Sequence, residues 1–149
     1  MKKIIFLLFF LLTLIGCTDD SFDSQSNRAS EAYNSWKSLG INSYTMDQQR
    51  VGNFNLSGMV LKVEVANLTI ANIQDTSGSV QVTQVDWQYF KTVDQLFEIL
   101  TKLNTIRPST FNVLYHETYH YPISVYIDAR SSSLGEVYNF TVQNLAPIN

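Results

Sequence analysis

The chain has almost no cysteine: Cys17 is the only one in 149 residues. A single thiol forms no disulfide within the chain and builds no multi-cysteine metal site. If Cys17 is modified after export, no cysteine nucleophile remains either. An exported domain without disulfides has to be held together by its hydrophobic core. The eight tyrosines, nine phenylalanines and two tryptophans supply material for such a core.

Basic residues are also scarce, with 10 Lys and Arg against 13 Asp and Glu. Nucleic-acid binding requires a basic face, so we expect no DNA or RNA partner. No cluster of basic residues is present that could hold anionic lipid. The chain also lacks a glycine-rich phosphate loop and a G-x-S-x-G element, so neither a nucleotide site nor a serine hydrolase is predicted. No cofactor is expected.

No apolar run reaches the roughly 18–20 residues of a membrane span. The longest, residues 4–15, follows Lys2 and Lys3 and ends next to Gly16-Cys17. This arrangement is typical of a bacterial lipoprotein signal. We therefore expect that the signal peptide, residues 1–16, is removed and that Cys17 is acylated and anchors the protein to a membrane. The mature chain keeps eight basic and 13 acidic residues, a net charge of −5.

The signal predicts a location in the bacterial cell envelope, facing the periplasm in a Gram-negative host. Thr18, rather than an aspartate, follows Cys17 and favours the outer membrane. Residues 17–27 are polar, acidic and without periodicity, which predicts a flexible tether that begins at the lipidated cysteine. Residues 28–149 are the right length for a single domain.

Two helices are predicted from apolar spacing. Residues 28–39 carry one apolar face, and Gly40 is suited to the left-handed residue that ends a helix. Residues 93–104 form the second helix. Thr92 and Gln95 have the spacing of a capping box at its start, where each side chain bonds the backbone N–H of the other residue.

Alternating apolar residues predict strands around residues 43–51, 59–66, 70–73, 111–115, 123–127 and 138–142. Val80 and Val82 indicate a further short edge strand. The last three strands are joined by short connections and are typical of an antiparallel meander. The predicted fold is α+β, in the order α-β-β-(β)-α-β-β-β. It has an antiparallel sheet of about five or six strands, with two helices packed on one face.

Residues 116–120 spell H-E-x-x-H. On a helix, His116 and His120 would share a face and bind zinc, with Glu117 as the general base for a bound water. Glu136 is the candidate third ligand. This alternative describes a zinc-dependent hydrolase.

The surroundings of this motif favour a turn instead. Pro122 disfavours helical geometry at Tyr121, just where a zinc-binding helix would continue. The segments on both sides alternate with the period of strands. We therefore interpret residues 116–120 as a hairpin loop with two titratable histidines, and we expect no metal site.

Several segments resemble the bacterial lipoprotein family called domain of unknown function 6174, over residues 30–145. They are Ser43-Tyr44-Thr45, LKVEV at 61–65, TVDQLF at 92–97, VLY at 113–115, YPISVYID at 121–128 and YNFTV at 138–142. The resemblance implies a strand–turn–strand at the H-E-x-x-H segment, since relatives have Asp-Pro at positions 116–117 and Gly at position 120. Many relatives also carry a cysteine pair after the first strand, where this chain has residues 49–53 without cysteine. The family implies no activity.

The remaining candidate residues are a carboxylate and four tyrosines. Asp128 matches the family pattern, and its structural interpretation is strand-end capping and turn formation. Tyrosines that lie close together and exposed can stack on sugars or anchor a peptide, because they offer a large contact area at low entropic cost. The tyrosines near the predicted hairpin are Tyr115, Tyr119, Tyr121 and Tyr126.

Taken together, these features predict a non-enzymatic envelope lipoprotein. Its domain would bind an envelope protein, a peptide or a glycan through a sheet face or the tyrosine-rich hairpin. A purely structural role in the envelope is a further alternative, besides the zinc hydrolase.

Overall fold

The computed structural model describes residues 20–130 and 137–148. The elements, in chain order, are α1 (Asp20–Ser38), β1 (Tyr44–Arg50), β2 (Val60–Ala66), β3 (Thr69–Gln74), a 3-10 helix (Asp86–Tyr89), α2 (Val93–Leu100), α3 (Leu103–Ile106), β4 (Thr110–Tyr115), β5 (Pro122–Asp128) and β6 (Val137–Pro147).

The six strands form one antiparallel sheet in the order β3-β2-β1-β6-β5-β4. The predicted α+β class, the element order and the meander of the last three strands are confirmed. The first and last strands of the domain, β1 and β6, pair in the middle of the sheet. Long-range pairing therefore closes the domain, while each of the other four pairs of neighbouring strands is also consecutive in sequence.

Alternation along the strands separates a buried face from an open one. The buried face contributes residues such as Met46, Val63 and Phe140, which have no measurable exposure. The helices cover this face, and together they enclose the core. The open face carries mostly neutral polar side chains. One row crosses five strands and consists of Leu114, Ser124, Thr141, Gln49 and Val60.

Helix α1 begins at Asp20, eight residues before its predicted start, so the prediction that residues 17–27 form a flexible tether is wrong for residues 20–27. Two contacts explain the difference. The Phe22 ring lies 5.1 Å from the Phe111 ring, and the buried Ser26 hydroxyl donates to the Thr101 carbonyl at 3.1 Å. The sequence did not indicate these contacts, because Phe22 is the only large apolar residue among the polar residues 20–27.

The second predicted helix, residues 93–104, is divided into α2 and α3. The Thr92–Gln95 capping box is present as predicted. The Thr101 hydroxyl donates to the Phe97 carbonyl at 2.9 Å, and such back-bonding by threonine bends helices. Leu103 and Ile106 in α3 still reach the core.

The predicted edge strand at Val80 and Val82 does not form. The Asp75 carboxylate accepts hydrogen bonds from the backbone N–H groups of Ser77, Ser79 and Val80. The Ser77 hydroxyl also donates to this carboxylate, and its hydrogen bond, followed by those of the backbone, lowers the pKa of Asp75. Together these bonds hold the segment as a turn. Local side-chain bonding has replaced strand pairing there.

The start of α2 is joined to the sheet by a buried hydrogen bond. The Tyr44 hydroxyl accepts from the backbone N–H of Val93 at 2.8 Å. This N–H lies in the first turn of α2 and has no partner within the helix. Burial raises the pKa of Tyr44 far above its usual value.

Replacing Tyr44 with Phe should therefore lower the free energy of unfolding by about 1–3 kcal/mol, because it leaves a buried N–H unpaired. Urea denaturation followed by circular dichroism measures this change. The control is Tyr126→Phe on the open face, where we expect a change within about 0.5 kcal/mol. Equal effects of the two substitutions would contradict the structural role given to the Tyr44 hydroxyl.

Candidate functional site

The H-E-x-x-H segment forms the turn between β4 and β5. His116 N donates to the Tyr121 carbonyl at 2.8 Å, and His120 N donates to the His116 carbonyl at 2.9 Å. His120 has a φ of +60°, in the left-handed region. A zinc-binding helix would need right-handed geometry through both histidines, so the predicted strand–turn–strand is confirmed.

The His116 ring takes part in the turn itself. Its Nδ1 accepts from the backbone N–H groups of Thr118 and Tyr119 at 3.1 and 3.2 Å. The ring stacks on Tyr121, with 5.0 Å between centroids. Because backbone N–H groups can only donate, Nδ1 carries no proton in this arrangement.

His116, Glu117 and His120 line a groove of about 360 Å³ against α1, together with Arg28 and Glu31. Within residues 20–130 and 137–148, no three His, Cys, Asp or Glu side chains are grouped so that they could hold a metal ion. Glu136, the candidate third ligand, lies outside the described residues. The same is true of Cys17, the candidate lipidation site.

The four candidate tyrosines do not form one exposed cluster, although Tyr119 and Tyr121 both contact the His116 ring. Tyr115 lies under the helices, where it stacks on Phe97 and where burial raises its pKa to about 12. Tyr121 is 3% exposed and packs edge-on against Trp36. Tyr119 is half-buried in the turn, and Tyr126 lies on the open face at 37% exposure. The expected cluster of exposed aromatics around the hairpin is therefore wrong.

Asp128 lies at the end of β5, and its hydrogen bonds are those of the strand-end turn that the sequence predicts. Its carboxylate accepts from the Arg130 backbone N–H and pairs with the Arg130 guanidinium, with 2.6 Å between Oδ2 and Nη2. Hydrogen bonds from Arg130 lower the pKa of Asp128. This carboxylate is committed to the strand-end turn.

A second concavity lies between α2 and residues 88–91, and we call it the α2 cleft. Its volume is about 520 Å³, within the usual range of small-molecule sites. Arg50 and Tyr138 come from the buried face of the sheet. The described residues that line it are Arg50, Gln88, Tyr89, Lys91, Gln95, Glu98, Ile99, Lys102, Ile106 and Tyr138.

The α2 cleft is locally basic, although the chain is acidic overall. It contains three cationic side chains, those of Arg50, Lys91 and Lys102, and only one carboxylate among the described residues, that of Glu98. Lys102 pairs with Glu98 at 2.9 Å, but both side chains are more than half exposed, so this ion pair is weak.

Arg50 is held in place by aromatic rings. Its guanidinium lies 5.4 Å from the Phe54 centroid, 5.5 Å from Tyr89 and 5.3 Å from Phe140. Its Nη1 donates to the Tyr89 carbonyl at 2.8 Å. A fixed positive charge therefore lines the cleft.

Sequence reasoning missed this site. Arg50, Lys91 and Lys102 belong to β1, a loop and the segment after α2, and no local motif connects them. The only sequence signal was Lys102 near the end of a predicted helix, where its charge suits the helix dipole.

Within the described part of the chain, no helix has the length and the apolar character needed to cross a bilayer. The model of a family of unknown function, DUF6174, matches residues 28–147. The chain belongs to this family. No curated protein and no solved structure matches it.

Replacing His120 with Gly should raise the free energy of unfolding by up to about 1 kcal/mol, because glycine adopts a positive φ without the penalty borne by a side chain. The matched control is Thr118→Gly in the same turn, whose residue has no positive φ. The control should lose about 0.5–1 kcal/mol through added chain entropy. Chemical denaturation measures both free energies of unfolding. A destabilised His120→Gly variant would show that the imidazole stabilises the fold by more than the strained backbone destabilises it.

Proposed function

We propose that this member of the DUF6174 family is a lipid-anchored, non-enzymatic binding module of the bacterial cell envelope, with the α2 cleft as its ligand site. Cys17 carries the lipid, as its signal-like context predicts. The ligand carries a carboxylate or a phosphate group. The observation that carries this proposal is the grouping of three cations around one cavity in an otherwise acidic chain.

The chemistry of the cleft suits recognition of an anion. The side chains of Arg50, Lys91 and Lys102 come from three separate segments of the chain and all line the cleft, so a bound anion would meet more than one positive charge. Gln88, Gln95 and Tyr138 add neutral hydrogen-bonding groups that can orient a ligand. Hydrogen bonds between an ammonium and a carboxylate or phosphate are stronger than neutral ones.

The lining also supports a binding role over catalysis. Among its described residues, the cleft contains no Ser, Cys or His that could act as a nucleophile or as a histidine base. The partners expected from the sequence, an envelope protein, a peptide or a glycan, remain our proposal. Because the cleft is lined by three cations, we restrict the expected partners to molecules that carry an acidic group.

Lys102→Gln should weaken the binding of inorganic phosphate or citrate by about tenfold or more, since a hydrogen bond to a charged group contributes roughly 1.5–3 kcal/mol. Isothermal titration calorimetry on the purified protein measures this. The matched control is Lys62→Gln, which removes another lysine from a surface ion pair, 3.4 Å from Asp47 on the open face. The control should bind as the wild type does.

Two outcomes would contradict the proposed site. One is that both substitutions weaken anion binding equally, because the effect would then come from the net charge of the protein and not from the cleft. The other is the absence of phosphate and citrate binding to the wild-type protein at millimolar concentrations.

Zinc content separates the proposal from the hydrolase alternative. Protein purified without an affinity tag should contain no stoichiometric zinc, because His116 and His120 lie on a turn whose backbone already uses the His116 Nδ1. Elemental analysis of the wild type and of His116→Ala should give the same result. Stoichiometric zinc that disappears in His116→Ala would favour the hydrolase.

A further inference from the structure

The start of α1 belongs to the folded domain and does not act as a spacer. Its first turns are fixed by the contact between Phe22 and Phe111 and by the Ser26 hydrogen bond to Thr101. The helix is continuous from Asp20 to Ser38. The described fold therefore begins three residues after Cys17.

This short link limits how far the domain can lie from its lipid. Three peptide steps separate Cys17 from Asp20, and a fully extended chain covers about 11 Å in that distance. The predicted tether of residues 17–27, followed by a domain that starts at Arg28, would have allowed about 40 Å. The headgroup layer of a bilayer is about 5–8 Å thick on each side, so the start of α1 has to lie close to the lipid headgroups.

The same distance defines which part of the domain faces the membrane. Phe111, which contacts Phe22 of α1, is the second residue of β4. Its neighbour Thr110 pairs with Asp128 at the end of β5, and Asp128 also pairs with Val137 at the start of β6. We call this end of the sheet, together with the start of α1, the anchor end. The opposite end holds Ser38, about 27 Å from Asp20 along α1.

We propose that the anchor end lies directly against the bilayer that holds the lipid of Cys17. This inference rests on the lipidation in the proposed function, and the partner surface is the headgroup layer of that bilayer. Arg50 is the last residue of β1 and Tyr138 the second of β6, so the α2 cleft is also built on the anchor end. Its ligands would therefore be met at the membrane surface.

Two single-cysteine variants test this placement in the full, lipidated protein. Acylation consumes the Cys17 thiol, so a new cysteine is the only one open to a fluorophore. Ser24→Cys and Ser38→Cys both label exposed positions of α1, and they lie about 21 Å apart along the helix. The protein is reconstituted in phosphatidylcholine vesicles with an energy acceptor on a fraction of the headgroups. These lipids are zwitterionic, so attraction by net charge does not contribute.

Energy transfer from position 24 should clearly exceed that from position 38. Insertion of about 20 Gly and Ser residues after Asp19 should lower the transfer from position 24, since such a linker has a typical span of about 25 Å. Equal transfer from the two positions, whether high or low, would overturn the placement. Transfer that the insertion leaves unchanged would overturn the short link as its cause.

Mass spectrometry of the N-terminal peptide separates this inference from the proposed function. An unacylated Cys17 overturns the anchor and the membrane placement together, while anion binding in the α2 cleft is judged on its own titration. An acylated Cys17 with equal transfer at both positions overturns the placement alone.

Discussion

The structure depends on one junction, where the first turn of α2 meets α1 and the sheet. The Asp94 carboxylate accepts hydrogen bonds from the Tyr33 hydroxyl, the Trp36 indole and the Lys37 ammonium, at 3.2, 3.4 and 3.1 Å. The next residue back, Val93, donates its N–H to Tyr44 of β1. Three elements distant in sequence are therefore fixed at one point, and a carboxylate there also suits the positive end of the α2 dipole.

This junction determines where the other surfaces lie. With α1 fixed against α2 at Asp94, the α2 residues Gln95 and Ile99 are left to line the cleft, together with Lys102 in the segment that follows. The same arrangement directs the start of α1 towards Phe111. The binding site and the proposed membrane contact thus follow from a helix pair that is fixed by its polar contacts as well as by its core.

The segments that carry the family resemblance have structural tasks at this junction and around it. Tyr44 caps α2, Thr92 closes the capping box and Asp94 holds α1. In the YPISVYID segment, Tyr121 packs on Trp36 and Asp128 forms the turn with Arg130. These motifs specify a fold. None of the three cations of the α2 cleft lies within these motifs. The motifs therefore assign the chain to its family without identifying a ligand.

Local patterns predicted the elements whose stability is local. The Thr92–Gln95 capping box marked the start of α2, and alternation marked the strands. Prediction failed where a distant residue or a side-chain bond decided the backbone. Phe22 extends α1 through a contact with Phe111, and Asp75 turns the chain before Val80 can pair in a strand.

The sequence by itself determined the fold class, the order of the elements and the turn at the H-E-x-x-H segment, because apolar periodicity, caps and Pro122 act over a few residues. Only the tertiary structure decided that the tyrosines point to different faces and that Arg50, Lys91 and Lys102 surround one cavity. It also decided that α1 begins at Asp20. The physical reason is that these features depend on contacts between residues tens of positions apart, which strand pairing and helix packing establish and which no local pattern encodes.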